Sequence, residues 1–401
     1  LGDVYKRQGR HTHKGKPKHT LFRTFSSVGA MHFFRTVAVA ALSLALVAPS
    51  VLGAKLEPRG KSSTAMPVQY KGDTEEFTYA AGLQQETYCA DSKVGMKIGD
   101  AELLWQKGDG NNVQRALVYH SKKLGIVLAM EGTNLTSIWS DLHDAEAIQV
   151  DPDHRFRKFL PKGTKLLFGF QDAYLHVVDS SLAEIKKAMK KYNESRVTVT
   201  GHSLGAGMGI IATAYLENVI PGGLHRSILF GLPRTGNDVF ADYIDKKMSN
   251  RFHWIANGKD WVPHVPPRFL GYQHPGNMLW INPANSTFWL YYPGQENKHG
   301  PNSIVPEPNF NDHQGIYFGT QIGASNGHCP ATVGKDGPTT YGTPSHFNNK
   351  AKASPSAGQA EASKSFYDQF RSKSTGKKSS HSSSHSSSRS SSHSSSHSSD
   401  N

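Results

Sequence analysis

The sequence predicts an α/β fold, a central, mostly parallel sheet flanked by helices. Two observations carry this. Apolar and β-branched runs of strand length alternate with helical-period segments, and one β-branched strand enters a glycine-rich turn that opens a small-residue helix. The chain of 401 residues is long enough for one such domain of about 250 to 300 residues with appendages. Residues 113–119 (VQRALVY) and 125–130 (GIVLAM) read as neighbouring strands around the polar turn 120–124. Residues 172–191 form one amphipathic helix, with Ala173, Val177, Leu182, Ile185 and Met189 near helical spacing. Lys186, Lys187, Lys190 and Lys191 gather toward its carboxyl end, where the dipole favours cations. The strand 196–200 (RVTVT) follows, then the turn 201–207 and a helical run over 208–218. Further strands are expected at 227–231, 252–256, 276–281 and 288–292. From 80 to 101 no single period holds.

The net charge of +13 is unevenly distributed. Residues 1–30 carry seven Lys/Arg against Asp3, and residues 346–401 carry eight against three acids, leaving 29 basic and 28 acidic residues for 55–345. A nearly neutral body offers no basic face for nucleic acid. Residues 1–30 are basic, lack periodicity and do not begin with Met, so they are expected to lie outside the native protein. Met31 begins a three-part secretory signal layout over 31–54: Arg35, the apolar run 37–48, then Pro49, Ser50, Gly53 and Ala54. That run is too short to span a bilayer comfortably, and no second long apolar segment follows. Residues 55–79 read as an N-terminal extension or propeptide, 80–344 as the folded domain, and 345–401 as a disordered tail. The tail ends in a Ser tract carrying His381, His385, Arg389, His393 and His397, too polar to offset chain entropy and without fixed metal geometry. Neither a cofactor nor a metal site is expected.

Export makes the two cysteines interpretable, because an oxidising compartment lets disulfides persist. Cys89 and Cys329 stand near opposite ends of the neutral body, and a bridge would tie those ends together; two buried free thiols are the alternative. Asn134, Asn193 and Asn285 open N-x-Ser/Thr acceptor sites.

The strongest local signal is GHSLGAG at 201–207, a G-x-S-x-G pattern between a strand and a helix. Gly201 and Gly205 let the turn be sharp, so Ser203 projects its hydroxyl at a helix start and the Leu204 N–H faces an electropositive end. A serine hydroxyl needs an adjacent base oriented by a third group, and in this arrangement the partners follow in the order Ser, Asp or Glu, His. His202 leaves the turn in another direction. Asp238, Asp242, Asp245, Asp260 and Asp312 follow downstream, and Asp260 stands out because it comes just after the strand 252–256 and before the rigid stretch 261–267. For the base, order alone leaves His264, His274, His299, His313 and His328 open.

GHSLGAG, FGLPRTGNDVFADY at 230–243, NGKDWVPHVPPRFLGYQHPGNMLW at 257–280 and NDHQGIYFG at 311–319 together resemble the successive blocks of the fungal class 3 lipases, secreted triacylglycerol hydrolases of the α/β-hydrolase fold. The resemblance covers roughly residues 80–330. It implies Asp260 and His313 as the partners of Ser203, and Cys89–Cys329 as a terminal disulfide. The block EGTNLTSIWSDL at 131–142 resembles the family segment that supplies an oxyanion donor and then a lid. This implies the Thr133 N–H, with its hydroxyl, beside the Leu204 N–H. The chain departs from the better-known members in carrying Glu131 where they have Arg, and in its early Asp141. The lid candidate 135–147 places Leu135, Ile138, Trp139 and Leu142 on one side of a short helix, fit to cover the serine in water and to turn toward oil; an ordinary core-facing helix is the alternative.

The expected function is that of a secreted serine ester hydrolase, a triacylglycerol lipase, cleaving acylglycerol ester bonds through an acyl-enzyme with a Ser-His-Asp triad. Its expected partner is a lipid or ester substrate at an oil–water interface, with no nucleic acid and no stable protein partner. A feruloyl or other short-acyl esterase is the nearest rival, and an inactive surface-binding wall protein a remote one.

Overall fold

The computed structural model describes residues 61–133, 148–304, 311–324 and 327–336. The expected signal peptide, the tail, Asn134 and the lid residues Leu135, Ile138, Trp139 and Leu142 lie outside the described residues.

The core is a nine-stranded sheet. Helix α1 (Glu75–Glu86) precedes β1 (Lys97–Ile98), β2 (Ala101–Lys107), β3 (Ala116–Ser121) and β4 (Gly125–Met130), which form an antiparallel run. A small separate hairpin pairs β5 (Gln149–Val150) with β6 (Leu166–Leu167). Then come α2 (Phe168–Leu175), α3 (Val178–Tyr192), β7 (Val197–His202), α4 (Leu204–Val219), β8 (Arg226–Phe230), α5 (Asp238–Met248), β9 (Phe252–Asn257), β10 (Met278–Ile281) and β11 (Trp289–Tyr292). The sheet order is β1-β2-β3-β4-β7-β8-β9-β10-β11. Its centre, β4 to β10, is parallel, and β11 closes it antiparallel.

Alternation along the strands sorts the core onto two faces. Val118, Leu128, Met130 and Val199 point to the side covered by α2, α3, α4 and α5. Tyr119, Val127, Ala129 and Ile228 point to the other, where Phe77, Ala80 and Leu83 of α1 pack. Two-sided burial accounts for the nearly continuous apolar strands read from the sequence.

The structure differs from the sequence reading in three places. The segment expected as one helix over 172–191 is two, α2 and α3, broken at His176–Val177. Tyr174, Val177 and Val178, on either side of and within the break, are all fully buried. Helix α1 begins five residues before position 80, the expected start of the domain, and Phe77 within it is fully buried. Ahead of it, residues 61–70 lie along β11: Val68 and Tyr291 exchange backbone hydrogen bonds of 2.9 Å, and Ser63 bonds Gln295 and Lys298.

Cys89 and Cys329 form a disulfide across 240 positions, with Cα atoms 5.4 Å apart. Around it, the Gln85 amide donates to the His328 carbonyl, and the Ala331 N–H donates to Glu86. The carboxyl-terminal segment is thereby held against the end of α1.

Candidate active site

The parallel strands all end at one edge, and the segments that follow them converge there. β4 runs into Glu131, Gly132 and Thr133; β7 into Ser203; β8 into Gly231; β9 into Asp260. Ser203 stands between strand and helix with φ 62° and ψ −128°, a backbone region that costs a non-glycine residue about 1–3 kcal/mol. Its surroundings enforce this. A β-carbon on Gly201 would fall 2.2 Å from the Gly205 carbonyl oxygen, and one on Gly205 would fall 2.1 Å from that of Met130. Only glycines let β4, the turn and α4 approach so closely, and the result aims a serine side chain over the first turn of a 16-residue helix.

His313 is fully buried and donates from Nδ1 to Asp260 Oδ2 at 2.8 Å. The other Asp260 oxygen accepts the Val262 N–H at 2.9 Å, so the carboxylate is held from both sides. The loop carrying His313 is tied to the end of β9: Asn257 donates its amide to the Asp312 carbonyl at 2.9 Å, and the Lys259 N–H donates to Asp312 Oδ2 at 2.7 Å. The Ser203 N–H donates to the Phe230 carbonyl at 3.0 Å. The next residue, Gly231, abuts both the imidazole of His313 and Asp260. Ser203 Oγ and His313 Nε2 are both buried without a hydrogen-bond partner. Because the Asp260 bond places the proton on Nδ1, Nε2 is left as an acceptor able to take a hydroxyl proton.

Beside this group lies Gly132, where a β-carbon would sit 2.9 Å from that of Ser203. Thr133 follows it and is half-buried, as is Leu204 at the head of α4. N–H groups in a helix's first turn lack intrahelical acceptors and favour negative charge.

The remaining histidines left open by chain order lie elsewhere. His264 and His274 are buried with the Arg234–Glu296 pair, where burial lowers them to about 3 and about 4. His328 is exposed and pairs with Asp336. His202 enters the site by a different route: its ring stacks on that of His313, with centroids 4.5 Å apart. Tyr88, which sequence reasoning did not single out, contacts His202; neither motif nor periodicity signals it. Glu131 is buried and accepts the Arg115 N–H at 3.2 Å.

A family model described as lipase (class 3) matches residues 127–270. Two secreted mono- and diacylglycerol lipases of Malassezia globosa, MDL2 and LIP1, are 54% and 53% identical to this chain, over 71% and 76% of it and 94% and 99% of their own lengths. The chain belongs to the class 3 lipase family. Among solved structures, the lipase of Rhizopus microsporus var. chinensis matches with a TM-score of 0.55 and 28% identity, over 69% of this chain and 99% of that one. This lipase is thus a carboxylic-ester hydrolase of the α/β-hydrolase fold, and the expected Cys89–Cys329 bridge is present in it.

Proposed function

We propose that Ser203, His313 and Asp260 carry the ester hydrolysis of this lipase, with the Thr133 and Leu204 N–H groups as its oxyanion donors. The observation that carries the assignment is the 2.8 Å bond from His313 to Asp260 beside an elbow serine whose hydroxyl has no partner. Ser203 Oγ attacks the ester carbonyl while His313 Nε2 takes its proton. Asp260 keeps the imidazole in the required tautomer and stabilises the imidazolium. The oxyanion gathers hydrogen bonds from Thr133 and Leu204, each such donor worth about 3–4 kcal/mol in the transition state. His313 then protonates the departing alcohol, and a water activated by the same nitrogen releases the acid.

The substrates are acylglycerols, with mono- and diacylglycerols first among them, because relatives sharing more than half of the aligned residues carry that description. Segment 135–147, which carries Leu135, Ile138, Trp139 and Leu142, serves as the lid, and residues 31–54 direct export, in keeping with relatives named as secreted. Rates on emulsified mono-, di- and triacylglycerol, compared with soluble short-chain and feruloyl esters, test the substrate reading. Preference for partial glycerides, rising once droplets form, is expected; preference for soluble or aryl esters would overturn it.

A further inference from the structure

We propose that Tyr88 and His202 are positioning residues whose packing and hydrogen bonds hold the oxyanion segment, the serine turn and the histidine loop in one register. The contacts run from one segment to the next. At one end Gly132 packs against the Tyr88 phenol. Tyr88 donates its hydroxyl hydrogen to His202 Nδ1 at 2.6 Å, and His202 Nε2–H donates to the His313 carbonyl at 3.0 Å. The same carbonyl accepts the Tyr317 hydroxyl at 3.1 Å.

The His313 carbonyl can only accept, which puts a proton on His202 Nε2, and in a neutral imidazole Nδ1 is then the acceptor for the Tyr88 hydroxyl. Burial and the adjacent His313 hold His202 well below the usual imidazole range. Burial, with Glu131 nearby, holds the Tyr88 hydroxyl well above its own.

The geometry explains why this linkage reaches the chemistry. Gly132 directly precedes Thr133, and a β-carbon on Gly132 would fall 2.3 Å from the Tyr88 hydroxyl, so the segment is seated against the phenol. His202 directly precedes Ser203, and its ring lies against that of the base. Tyr88 is itself anchored by its neighbour: Cys89 is bridged to Cys329, and the Arg115 guanidinium holds the carbonyls of Thr87 and Cys89. Donors that must meet an oxyanion and a base that must meet a hydroxyl are sensitive to displacements of about 1 Å. One phenol and one imidazole control both.

This inference rests on the proposed roles of Ser203 and His313, and the experiment separates the two. Parent enzyme, Ser203→Ala, Tyr88→Phe, His202→Gln and the Tyr88→Phe/His202→Gln double variant are compared on a soluble p-nitrophenyl ester and with an ester-mimicking phosphonate. His202→Gln retains a donor for the His313 carbonyl and loses the link to Tyr88. Failure of the phosphonate to label Ser203 in the parent overturns the reading of the site itself. Given labelling, Tyr88→Phe and His202→Gln are each expected to lower kcat about 10- to 100-fold with KM nearly unchanged. The double variant should lose no more than the worse single one, the signature of a shared network. A kcat within about twofold of the parent in folded Tyr88→Phe, or losses that multiply in the double variant, would overturn the positioning role. Should Tyr88→Phe fail to fold, His202→Gln decides alone by the same twofold criterion.

Discussion

A β-carbon on Gly231 would stand 2.7 Å from Cε1 of His313 and 2.9 Å from its Nδ1. The imidazole is therefore seated against bare backbone, in a place where φ is +54° and a side chain is also strained. Gly231→Ala should displace the ring and lower kcat by about 10²-fold. Steady-state kinetics on a soluble ester, normalised to the folded fraction, check this; an unchanged kcat would show the ring to be free to shift.

Ser203→Ala should reduce ester turnover by about four to six orders of magnitude. Asp260→Asn, which preserves shape but favours the wrong imidazole tautomer, should cost about 10⁴-fold. Neither removes packing volume from the core, so both should unfold near the parent denaturant midpoint. Substantial activity in purified Ser203→Ala would reject the nucleophile.

Glu131 supplies a pH signature. Burial raises its carboxyl to about 7 from 4.5, with the Arg115 N–H and guanidinium opposing the shift. An unfolded chain releases this proton near its ordinary value, whereas the folded one keeps it to about 7. Stability therefore falls as pH rises between those values, by up to about 3 kcal/mol. Glu131→Gln should remove that fall and unfold at higher urea than the parent at pH 8, with little difference at pH 4.5. Parallel stability profiles for the two proteins would contradict it.

The opposite sign applies at Glu296. Burial alone would raise its carboxyl, but the Arg234 guanidinium, bonded at 2.7 and 2.9 Å, holds it well below the usual carboxylate range. Its contribution is present above the unfolded value and is lost as acid protonates it. Glu296→Gln strands Arg234 in the interior and should cost about 3–5 kcal/mol at neutral pH. The deficit should shrink as the parent is titrated below pH 4. Denaturant midpoints across that range measure it.

Replacing both cysteines by serine should cost about 2–5 kcal/mol, because the bridge closes a loop of 240 positions in the unfolded chain. A non-reducing gel and unfolding curves with and without reductant check both the bond and its worth.

The strands were legible in the sequence because burial on both faces makes them apolar throughout. The serine turn was legible because its glycines are a local requirement. Asp260 and His313 were not local: chain order left five histidines open, and the resemblance singled out His313. Tyr88 and His202 meet across 114 positions and carry no periodic mark. Helix α1 escaped a periodic reading because Gln84, Gln85 and Glu86 are buried beside Phe77 and Leu83, where Gln84 donates to the Met130 carbonyl and Gln85 and Glu86 bond the carboxyl-terminal segment, and so they blur the apolar stripe. Helix α5 carries a readable signal, an Asn237 cap on the Phe240 N–H ahead of Phe240, Ile244 and Met248.

The pairing of Val68 with Tyr291 has a bearing on how the protein keeps to itself. A border strand with bare N–H and C=O groups invites a second molecule to add on. Here residues 61–70 fill part of that vacancy from within the same chain. Removal of this strap would leave the serine turn in place and open a seam for self-association, so loss of solubility should come ahead of any loss of turnover.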